Sequence, residues 1–491
     1  MAASETHVTA LLVLSTLATT LCGSFQVGYQ VAGLSAPSVL MQQFYNQSNE
    51  ERRGAYLSDS AILWLWSTTV SVLGIGAAIG ALISGYLADS LGRKGTMLLV
   101  NVLSILAGLL MGFSYLANSY EMIIVGRLVI GVFIGVSSGV VPLYLAEIAP
   151  ISLRGAIVVG HQLMITVGIF LSQALGLYAF MYETGWPILL SLTAVPSVLQ
   201  FFVLPFCPES PRWLFIKKNK EGECRQILQK LRGTDQVEEE MEEIRREAED
   251  DEKTEKVGVL TLLRLQDPNW KRPLFISIYL LFSAQFSGIN SIVFYATEVY
   301  RQTGFEEYLV SLATVATGFT FVVMTIVTVF VIERVGRKPL LLYPFGVMAV
   351  SLVVVTVSQS LQPAADGFKW VALLAIFTFL IAFAIGPGAV PYVVVPELWA
   401  QGPRPAGMSI AIQTLWICNF ITGITFPYLQ ATIGAYTFAF YAVVCFVSAM
   451  VVYRYVPETK GRTFEDIVAT FSKEQVASGS ALLALKSTRH S

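Results

Sequence analysis

The sequence predicts an all-α membrane protein, with twelve transmembrane helices in two six-helix bundles and a helical linker between them. Composition is the first reason: of 491 residues, 54% are hydrophobic and 13% are charged, which is too little charge for the surface of a soluble protein of this length. The second reason is that twelve apolar runs are long enough, at roughly 20 residues, to cross a bilayer. The third is that several motifs occur twice in the same order.

The apolar runs fall into two groups of six. We place the first six helices at about 10–34, 62–87, 96–116, 121–145, 155–180 and 186–206, and the second six at about 273–299, 308–332, 339–359, 370–396, 405–428 and 433–456. The predicted segments are an N-terminal bundle (1–206), a cytoplasmic linker (207–272), a C-terminal bundle (273–456) and a tail (457–491). The first run is too long for a signal peptide and has no small-residue cleavage site, so we expect it to remain as the first span.

The linker is polar and contains an acidic, helix-forming stretch, Val237–Lys256, for which a solvated helix is a better explanation than a partner-binding site. Five cysteines, without paired short spacing, indicate neither a disulfide framework nor a metal site. No phosphate-binding loop is present, so we expect neither ATP nor another cofactor, and a net charge of −2 points to no nucleic acid. A receptor or a membrane enzyme is disfavoured because we find no signalling domain and no catalytic group.

Three motifs of the first half return in the second half. Glu147 and Arg154 are separated by the same spacing as Glu397 and Arg404, 250 residues later (397 − 147). The other two pairs are Gly92-Arg93-Lys94 with Gly336-Arg337-Lys338, and Pro208-Glu209-Ser210 with Pro457-Glu458-Thr459. Two related halves in a membrane protein are typical of an alternating-access transporter that holds its substrate between them.

Lysines and arginines concentrate in the loops after the even-numbered spans, in the linker and in the tail. Positive charge in short loops tends to remain in the cytoplasm, so both termini are predicted to be cytoplasmic. The first loop on the opposite side contains Asn46-Gln47-Ser48, an N-glycosylation sequon. Its position agrees with that orientation and makes Asn46 a candidate glycosylation site.

Charged residues recur at the helix ends on the predicted cytoplasmic face. They are explained either as topogenic charge on solvated loops or as a salt-bridge latch between helices. We favour the latch, because a carboxylate at a membrane helix end is costly unless it is paired. Such a latch stabilises one access state and breaks when the halves rock. The candidate latch residues are Arg93, Glu147, Arg154, Glu333, Arg337, Glu397 and Arg404.

The segment from Gly85 to Lys94 resembles the signature loop between spans 2 and 3 of the major facilitator superfamily. Further motifs are Gly126-Arg127, Pro208-Glu209-Ser210-Pro211-Arg212, Gln285-Phe286-Ser287-Gly288-Ile289-Asn290, Gly386-Pro387-Gly388 and Pro457-Glu458-Thr459-Lys460-Gly461. From about residue 10 to residue 470, the set resembles the facilitative hexose transporter family. The resemblance implies a carrier in the lipid bilayer of the plasma membrane that passes a monosaccharide down its gradient.

A sugar is a ring of hydroxyl groups with an apolar C–H face, so its site needs amides that donate and accept and an aromatic side chain. Residues of these types within the apolar spans are Gln162, Gln285, Asn290, Tyr392, Trp416 and Asn419. Any single amide is otherwise explained by contacts between helices. Gln162, Gln285 and Asn290 also match the sugar-contacting positions of the family, so we predict substrate contact for them.

Gln285 and Asn290 are five residues apart, which places their side chains about 140° apart around a straight helix. They line one site only if span 7 bends or breaks between them, and Gly288 permits a break. Span 10 contains a similar breaker, Gly386-Pro387-Gly388. We therefore expect both spans to contain a segment that moves as a gate.

Several positions depart from the glucose-carrying members of the family, which the resemblance implies have polar or tryptophan side chains there. This chain has Ala284, Phe321, Ala384, Tyr392 and Leu415 at these positions. Each lost hydrogen bond to a buried hydroxyl costs about 1 kcal/mol, so glucose should bind poorly in the usual pose. Span 7 also lacks the Gln-Leu-Ser triplet of the glucose-preferring class, which favours fructose. Glucose, urate or another polar organic solute remain the alternatives.

Proton-coupled relatives have a carboxylate in span 1 that pairs with the span 4 arginine. The matching residues here are Gln30 in span 1 and Arg127 in span 4. An amide cannot take up and release a proton as a buried carboxylate can. His161 adjoins Gln162, but a lone histidine in a polar cavity is more often a hydrogen-bonding side chain. We predict a uniporter, with proton-coupled symport as the less favoured alternative.

Overall fold

The structure is a computed structural model that describes residues 8–150, 152–180, 185–253, 257–332 and 334–462, with the backbone alone for 178–180 and 250–252. Within these ranges all regular elements are helices, and twelve of the helical stretches are long and apolar enough to cross a membrane. The predicted fold class is therefore confirmed. Glu333 and the tail beyond residue 462 lie outside the described residues.

The spans lie within a few residues of their predicted positions at most ends. Spans 1 to 6 are Ala10–Ala32, Asp59–Leu91, Arg93–Phe113, Tyr120–Ile148, Arg154–Leu177 and Gly185–Phe206. Spans 7 to 12 are Pro268–Phe294, Glu307–Ile332, Arg337–Ala364, Phe368–Ile385, Arg404–Ile433 and Tyr436–Tyr455. Span 10 differs most from its prediction, because its helix stops at Ile385 and a new one begins at Pro391 and continues to Glu397.

The shorter helices mark the two sides of the molecule. Ser38–Arg53 joins spans 1 and 2, and the side on which it lies is called the loop-helix side here. The linker lies at the opposite end, the linker side, and its helices are Pro211–Ile216, Glu221–Arg232, Glu238–Lys253 and Val259–Leu263. The predicted acidic helix is thus present, up to the point where its last residues leave the described range. Its apolar stripe, with Met241 and Ile244, packs against Cys224 and Leu228 of the preceding helix.

Span 7 breaks where the sequence predicts. Its helix stops at Gln285 and resumes at Ile289, and Gly288 between them has φ +96°, a left-handed conformation that glycine adopts without strain. A Cβ atom at Gly288 would also lie 2.9 Å from the ring of Tyr441. Both the backbone angle and the space therefore require glycine at this break.

The first six spans and the last six meet along two seams. Span 2 packs on span 11, where a Cβ atom at Gly74 would lie 3.0 Å from the backbone nitrogen of Phe420. Span 5 packs on span 8, where a Cβ atom at Gly318 would lie 2.5 Å from Cα of Phe170. Small residues let these helices approach closely, as is usual in membranes.

The two sides of the molecule differ in how tightly the halves close. On the loop-helix side, the segment of span 7 beyond the break, Ile289–Phe294, is buried throughout and contacts the end of span 1 in the first half. On the linker side a cavity of about 390 Å³ extends from Arg93 and Glu147 to Gln401 and Gly402 of the second half. The structure is thus closed on the loop-helix side and more open on the linker side.

Candidate functional site

Three of the predicted amides form one hydrogen-bonded cluster. Asn290 Nδ2 donates to Gln285 Oε1 at 2.6 Å, and Asn419 Nδ2 lies 3.2 Å from Asn290 Oδ1 and 3.4 Å from Gln285 Oε1. The break in span 7 makes this possible, since it brings two side chains together that a straight helix would separate. We call Gln285, Asn290 and Asn419 the amide cluster. It provides donors and acceptors on spans 7 and 11 at one point.

Sequence reasoning missed one member of this neighbourhood, Thr422. Its hydroxyl accepts from Asn290 Nδ2 at 3.1 Å and is itself within hydrogen-bonding distance of the carbonyls of Cys418 and Asn419. The signal was available, because Thr422 is three residues after Asn419 and so lies on the same face of span 11. Asn419 Oδ1 is buried and has no partner among the described residues, so one acceptor of the cluster stays free.

The other predicted substrate residues lie apart from these hydrogen bonds. Trp416 is buried and lies one turn before Asn419 on span 11. Gln162 is half-buried on span 5, and Tyr392 is 48% exposed in the helix that follows the break of span 10. Among the described contacts, no hydrogen bond links Gln162 or Tyr392 to the amide cluster. Their substrate contact stays a prediction.

Four of the five positions that depart from the glucose-carrying pattern are buried and apolar, and the fifth is the exposed Tyr392. Ala284, Phe321, Ala384 and Leu415 are each 9% exposed or less. Ala284 directly precedes Gln285, and Leu415 directly precedes Trp416. These side chains offer no hydrogen bond to a ligand hydroxyl, so the hydrogen-bonding capacity of the site rests on the amides.

Arg127 is a fully buried charge in the first half. Its hydrogen-bond acceptors are neutral amide and carbonyl oxygens. Its guanidinium donates to the Gln30 carbonyl at 2.8 Å and to Gln30 Oε1 at 3.1 Å, and it also donates to the carbonyls of Thr69 and Val70 at 3.3 Å. Gln30 Nε2 in turn donates to Thr193 Oγ1. His161, which directly precedes Gln162, forms a hydrogen bond between its Nδ1 atom and Ser24 Oγ at 2.7 Å.

The linker side of the first half has a tight ion pair. Arg93 donates from Nε and Nη2 to the two oxygens of Glu147, both at 2.8 Å, and each side chain is only 9% exposed. This two-point geometry is the strongest that arginine and a carboxylate can form. It joins the start of span 3 to the end of span 4.

The equivalent pair of the second half is looser. Arg337 Nη2 lies 3.4 Å from Glu397 Oε1, and the side chains are 17% and 31% exposed. The other oxygen of Glu397 accepts from the Thr459 hydroxyl. Arg337 Nε is buried without a partner among the described contacts.

The remaining latch candidates have other partners. Arg154 lies 3.7 Å from Glu243 of the acidic linker helix, which also pairs with Arg212 at 2.9 Å. Arg404 donates to the carbonyl of Trp399. Glu147 and Glu397 thus pair with the arginines of spans 3 and 9, whereas Arg154 contacts the linker.

Glu209 and Glu458, from the repeated Pro-Glu motif, cap the starts of spans 3 and 9. Glu209 Oε1 accepts from the backbone N–H groups of Arg93, Lys94 and Ser210 at 3.0, 3.2 and 2.8 Å. Glu458 accepts from Arg337 and Lys460 with Oε1 and from Lys338 with Oε2. The bonds from Arg93, Lys94, Arg337 and Lys338 satisfy amides that a helix leaves unpaired at its start. The repeated Pro-Glu motif was visible in the sequence. Only the structure shows which helix each glutamate caps.

The two caps differ in their ionisation. Burial raises the pKa of Glu209 above its ordinary value, and the backbone N–H groups offset only part of that effect. Burial also acts on Glu458, but there the N–H groups of Lys460, Arg337 and Lys338 outweigh it and lower the pKa. The first-half cap is therefore the more easily protonated of the two.

Asn46, the candidate glycosylation site, lies in the helix Ser38–Arg53 on the loop-helix side. Its Oδ1 accepts from the backbone N–H of Leu57 at 3.2 Å, and Ser48 of the sequon is buried and donates to the carbonyl of Asn118. Modification at Asn46 stays a prediction.

Comparison with known sequences identifies the relatives of this arrangement. Residues 16–471 match the family described as "Sugar (and other) transporter". Solute carrier family 2, facilitated glucose transporter member 5 from Equus caballus is 41% identical over 471 residues, which are 96% of this chain and 93% of the relative. Member 3 from Mus musculus is 41% identical over 467 residues, or 95% of this chain and 94% of the relative.

Solved structures agree with the fold. The inward open conformation of the xylose transporter XylE from E. coli has a TM-score of 0.79 and 25% identity, and the match covers 94% of this chain and 99% of that one. The proton:xylose symporter XylE bound to 6-bromo-6-deoxy-D-glucose has a TM-score of 0.76 and 26% identity, with 94% and 100% covered.

Proposed function

This chain belongs to the sugar transporter family, and from that premise we propose that it carries a monosaccharide, fructose, down its gradient by alternating access and without ion coupling. The amide cluster is the observation that carries the proposal. Three amide side chains of Gln285, Asn290 and Asn419 meet at a helix break, with Trp416 one turn away. Amides supply both the donors and the acceptors that sugar hydroxyls need, and the indole supplies an apolar face.

The remaining predicted contacts complete the proposed site. We assign two further sugar contacts. Gln162 on span 5 contacts the sugar from the first half, opposite the amide cluster, and Tyr392, beyond the break of span 10, contacts it from the linker side. Both side chains are at least partly exposed. Substrate would then lie between the halves, as is usual for carriers with two related halves.

Fructose is favoured over glucose by what the site lacks. Ala284, Phe321, Ala384 and Leu415 replace side chains that would bond glucose hydroxyls, and each unmade bond to a buried hydroxyl costs about 1 kcal/mol or more. The names of the relatives describe facilitated glucose transport, so glucose is the first alternative to exclude. Urate is the second, because an apolar site with few amides also suits a flat polar solute.

Uncoupled transport is supported by the surroundings of Arg127. Its guanidinium is held by Gln30 and by backbone carbonyls, none of which takes up a proton at physiological pH. The Arg93–Glu147 and Arg337–Glu397 pairs then serve as latches on the linker side, together with Arg154, Arg404 and Glu333. We assign that side to the cytoplasm and the membrane to the cell surface, which leaves Asn46 facing outward for a glycan.

Counterflow in proteoliposomes tests the substrate and the coupling together. Vesicles preloaded with fructose, glucose or urate are diluted into the same labelled solute, and the medium pH is followed. We expect saturable fructose counterflow, weaker glucose counterflow and no sugar-driven pH change. Stronger glucose than fructose counterflow would overturn the substrate, urate counterflow alone would favour the organic-solute alternative, and a sugar-driven pH change would establish symport.

A matched pair of variants tests the amide cluster. Asn290→Ala removes bonds to Gln285 and Thr422, so we expect the half-saturation concentration for fructose to rise about tenfold, equivalent to one or two hydrogen bonds. Asn101→Ala is the control, since Asn101 is a buried amide of span 3 and has no partner in the described contacts. Equal effects of the two variants would show that the cluster is structural.

A further inference from the structure

One buried amide outside the proposed sugar site has no visible partner. Gln173 on span 5 is fully buried, and neither its Oε1 nor its Nε2 has a hydrogen-bonding partner among the described residues. Buried side-chain amides are almost always bonded, and each unbonded atom is costly. An ordered water molecule is the usual reason for such an exception.

The Gln173 side chain faces a small cavity between the two halves, near the loop-helix side. The cavity measures about 10 Å³, which is close to the space for one water molecule. Ala36, Gly176 and Leu177 line it from the first half, and Thr297, Ser311 and Thr314 line it from the second half. The first-half wall is apolar except for Gln173, whereas the second-half wall consists of hydroxyl side chains.

These hydroxyls are suited to bind a water molecule. The Thr314 hydroxyl donates to the carbonyl of Val310 at 2.9 Å, so its lone pairs remain available as acceptors. Beside the cavity, spans 5 and 8 are in close contact, since a Cβ atom at Gly318 would lie 2.6 Å from Gln173 Oε1. The cavity itself, at about 10 Å³, has no space for a group larger than water. Water is the ligand that fits both the space and the chemistry.

We propose that this cavity binds one water molecule that links Gln173 of span 5 to Thr314 of span 8 and stabilises the closed state of the loop-helix side. When the halves separate there, bulk water hydrates Gln173 and the bridge is lost. The bound water therefore contributes only to the closed state. The inference goes beyond the transported solute, since it requires only that the halves separate.

Hydrogen exchange of the full-length protein in lipid nanodiscs tests the proposal without any sugar. Thr314→Val keeps the side-chain shape but removes the acceptor, which leaves Gln173 unpaired in the closed state. We expect about fivefold faster exchange of residues 30–41 and 170–177, the two segments that contain the cavity-lining residues of the first half. Thr356→Val is the control, because Thr356 is a buried threonine of span 9 that donates to its own helix and does not line the cavity.

The decisive comparison repeats Thr314→Val in a Gln173→Leu background. Without the amide there is no water to hold, so we expect the second substitution to change the exchange rate no further. An unchanged or slower exchange in Thr314→Val alone, or an equal effect with and without Gln173, would overturn the bridge. If Thr314→Val does not fold, Thr314→Ala, which also removes the hydroxyl, is read by the same comparison.

Discussion

The linker-side clusters of the two halves contain the same residue types but differ in strength. In the first half, Arg93 and Glu147 share two bonds of 2.8 Å and are almost fully buried. In the second half, Arg337 and Glu397 share one contact of 3.4 Å with greater exposure. Repetition in the sequence thus preserved the residues without preserving the geometry. The tight pair holds spans 3 and 4 of the first half together, whereas span 9 and the helix Pro391–Glu397 of the second half are joined more weakly.

The helices of the second half agree with this difference. Span 7 is interrupted at Gly288 and span 10 between Ile385 and Pro391. In the first half, span 4, the counterpart of span 10, runs from Tyr120 to Ile148 without interruption. Span 1, the counterpart of span 7, contains a π-helical stretch at Thr20–Ser24 but stays helical throughout. We infer that the second half provides the moving segments and the first half the more rigid support.

Breaking the tight pair should have the largest effect. Glu147→Gln removes the two-point counter-charge of the buried Arg93 and leaves only the exposed Asp89, 3.5 Å away. We therefore expect a loss of about 3–5 kcal/mol in the free energy of unfolding. The matched Glu397→Gln should cost about 1 kcal/mol or less, because its pair is longer and better solvated. Thermal unfolding in detergent measures both. Similar losses for the two variants would contradict the proposed asymmetry.

Stiffening the break of span 7 should have the next largest effect, and mainly on transport. Gly288→Ala forces a side chain into a left-handed conformation against Tyr441, at a cost of about 1–3 kcal/mol. We expect sugar counterflow to fall about tenfold or more, which that cost is large enough to produce. Gly346→Ala in span 9 is the control, since no atom lies within 4 Å of its added Cβ. Full transport by Gly288→Ala would contradict the inference that the break of span 7 moves during transport.

The helix caps should show the smallest effect, and it should depend on pH. Glu458 has a lowered pKa, so its contribution to stability is present above a pH of about 4.5 and is lost as the pH falls through the lowered pKa. Glu458 also uses both oxygens, so Glu458→Gln should lower the unfolding temperature at pH 7, and this loss should shrink towards pH 4.

Glu209 supplies the matched comparison for the caps. Its raised pKa means that the fold disfavours its charge, so its contribution is present at low pH and is lost as the pH rises through the raised pKa. All three of its bonds go to Oε1, which glutamine retains. Glu209→Gln should therefore change the unfolding temperature at pH 7 less than Glu458→Gln does. A larger loss for Glu209→Gln would reverse the ranking of the two caps.

Much of the site could be anticipated from local sequence. The break at Gly288 was predicted because Gln285 and Asn290 cannot share a face of a straight helix, and the structure confirms it. Partners distant in the sequence were not predictable in the same way. Glu243 was missed because its contact with Arg154 joins separate helices, whose packing angle and depth no residue spacing specifies. Thr422 was missed although its spacing from Asn419 places it on the same face of span 11.

By itself, the sequence determined the number of spans, the breaks and the repeated charges, since hydrophobic length, glycine and proline act locally along the chain. Only the tertiary structure decided that Glu147 forms a short ion pair with Arg93, whereas Glu397 lies farther from Arg337. It also decided that Gln173 faces a cavity lined by both halves. The physical reason is distance. A hydrogen bond gains or loses most of its strength within less than 1 Å, and that displacement is set by how whole helices pack.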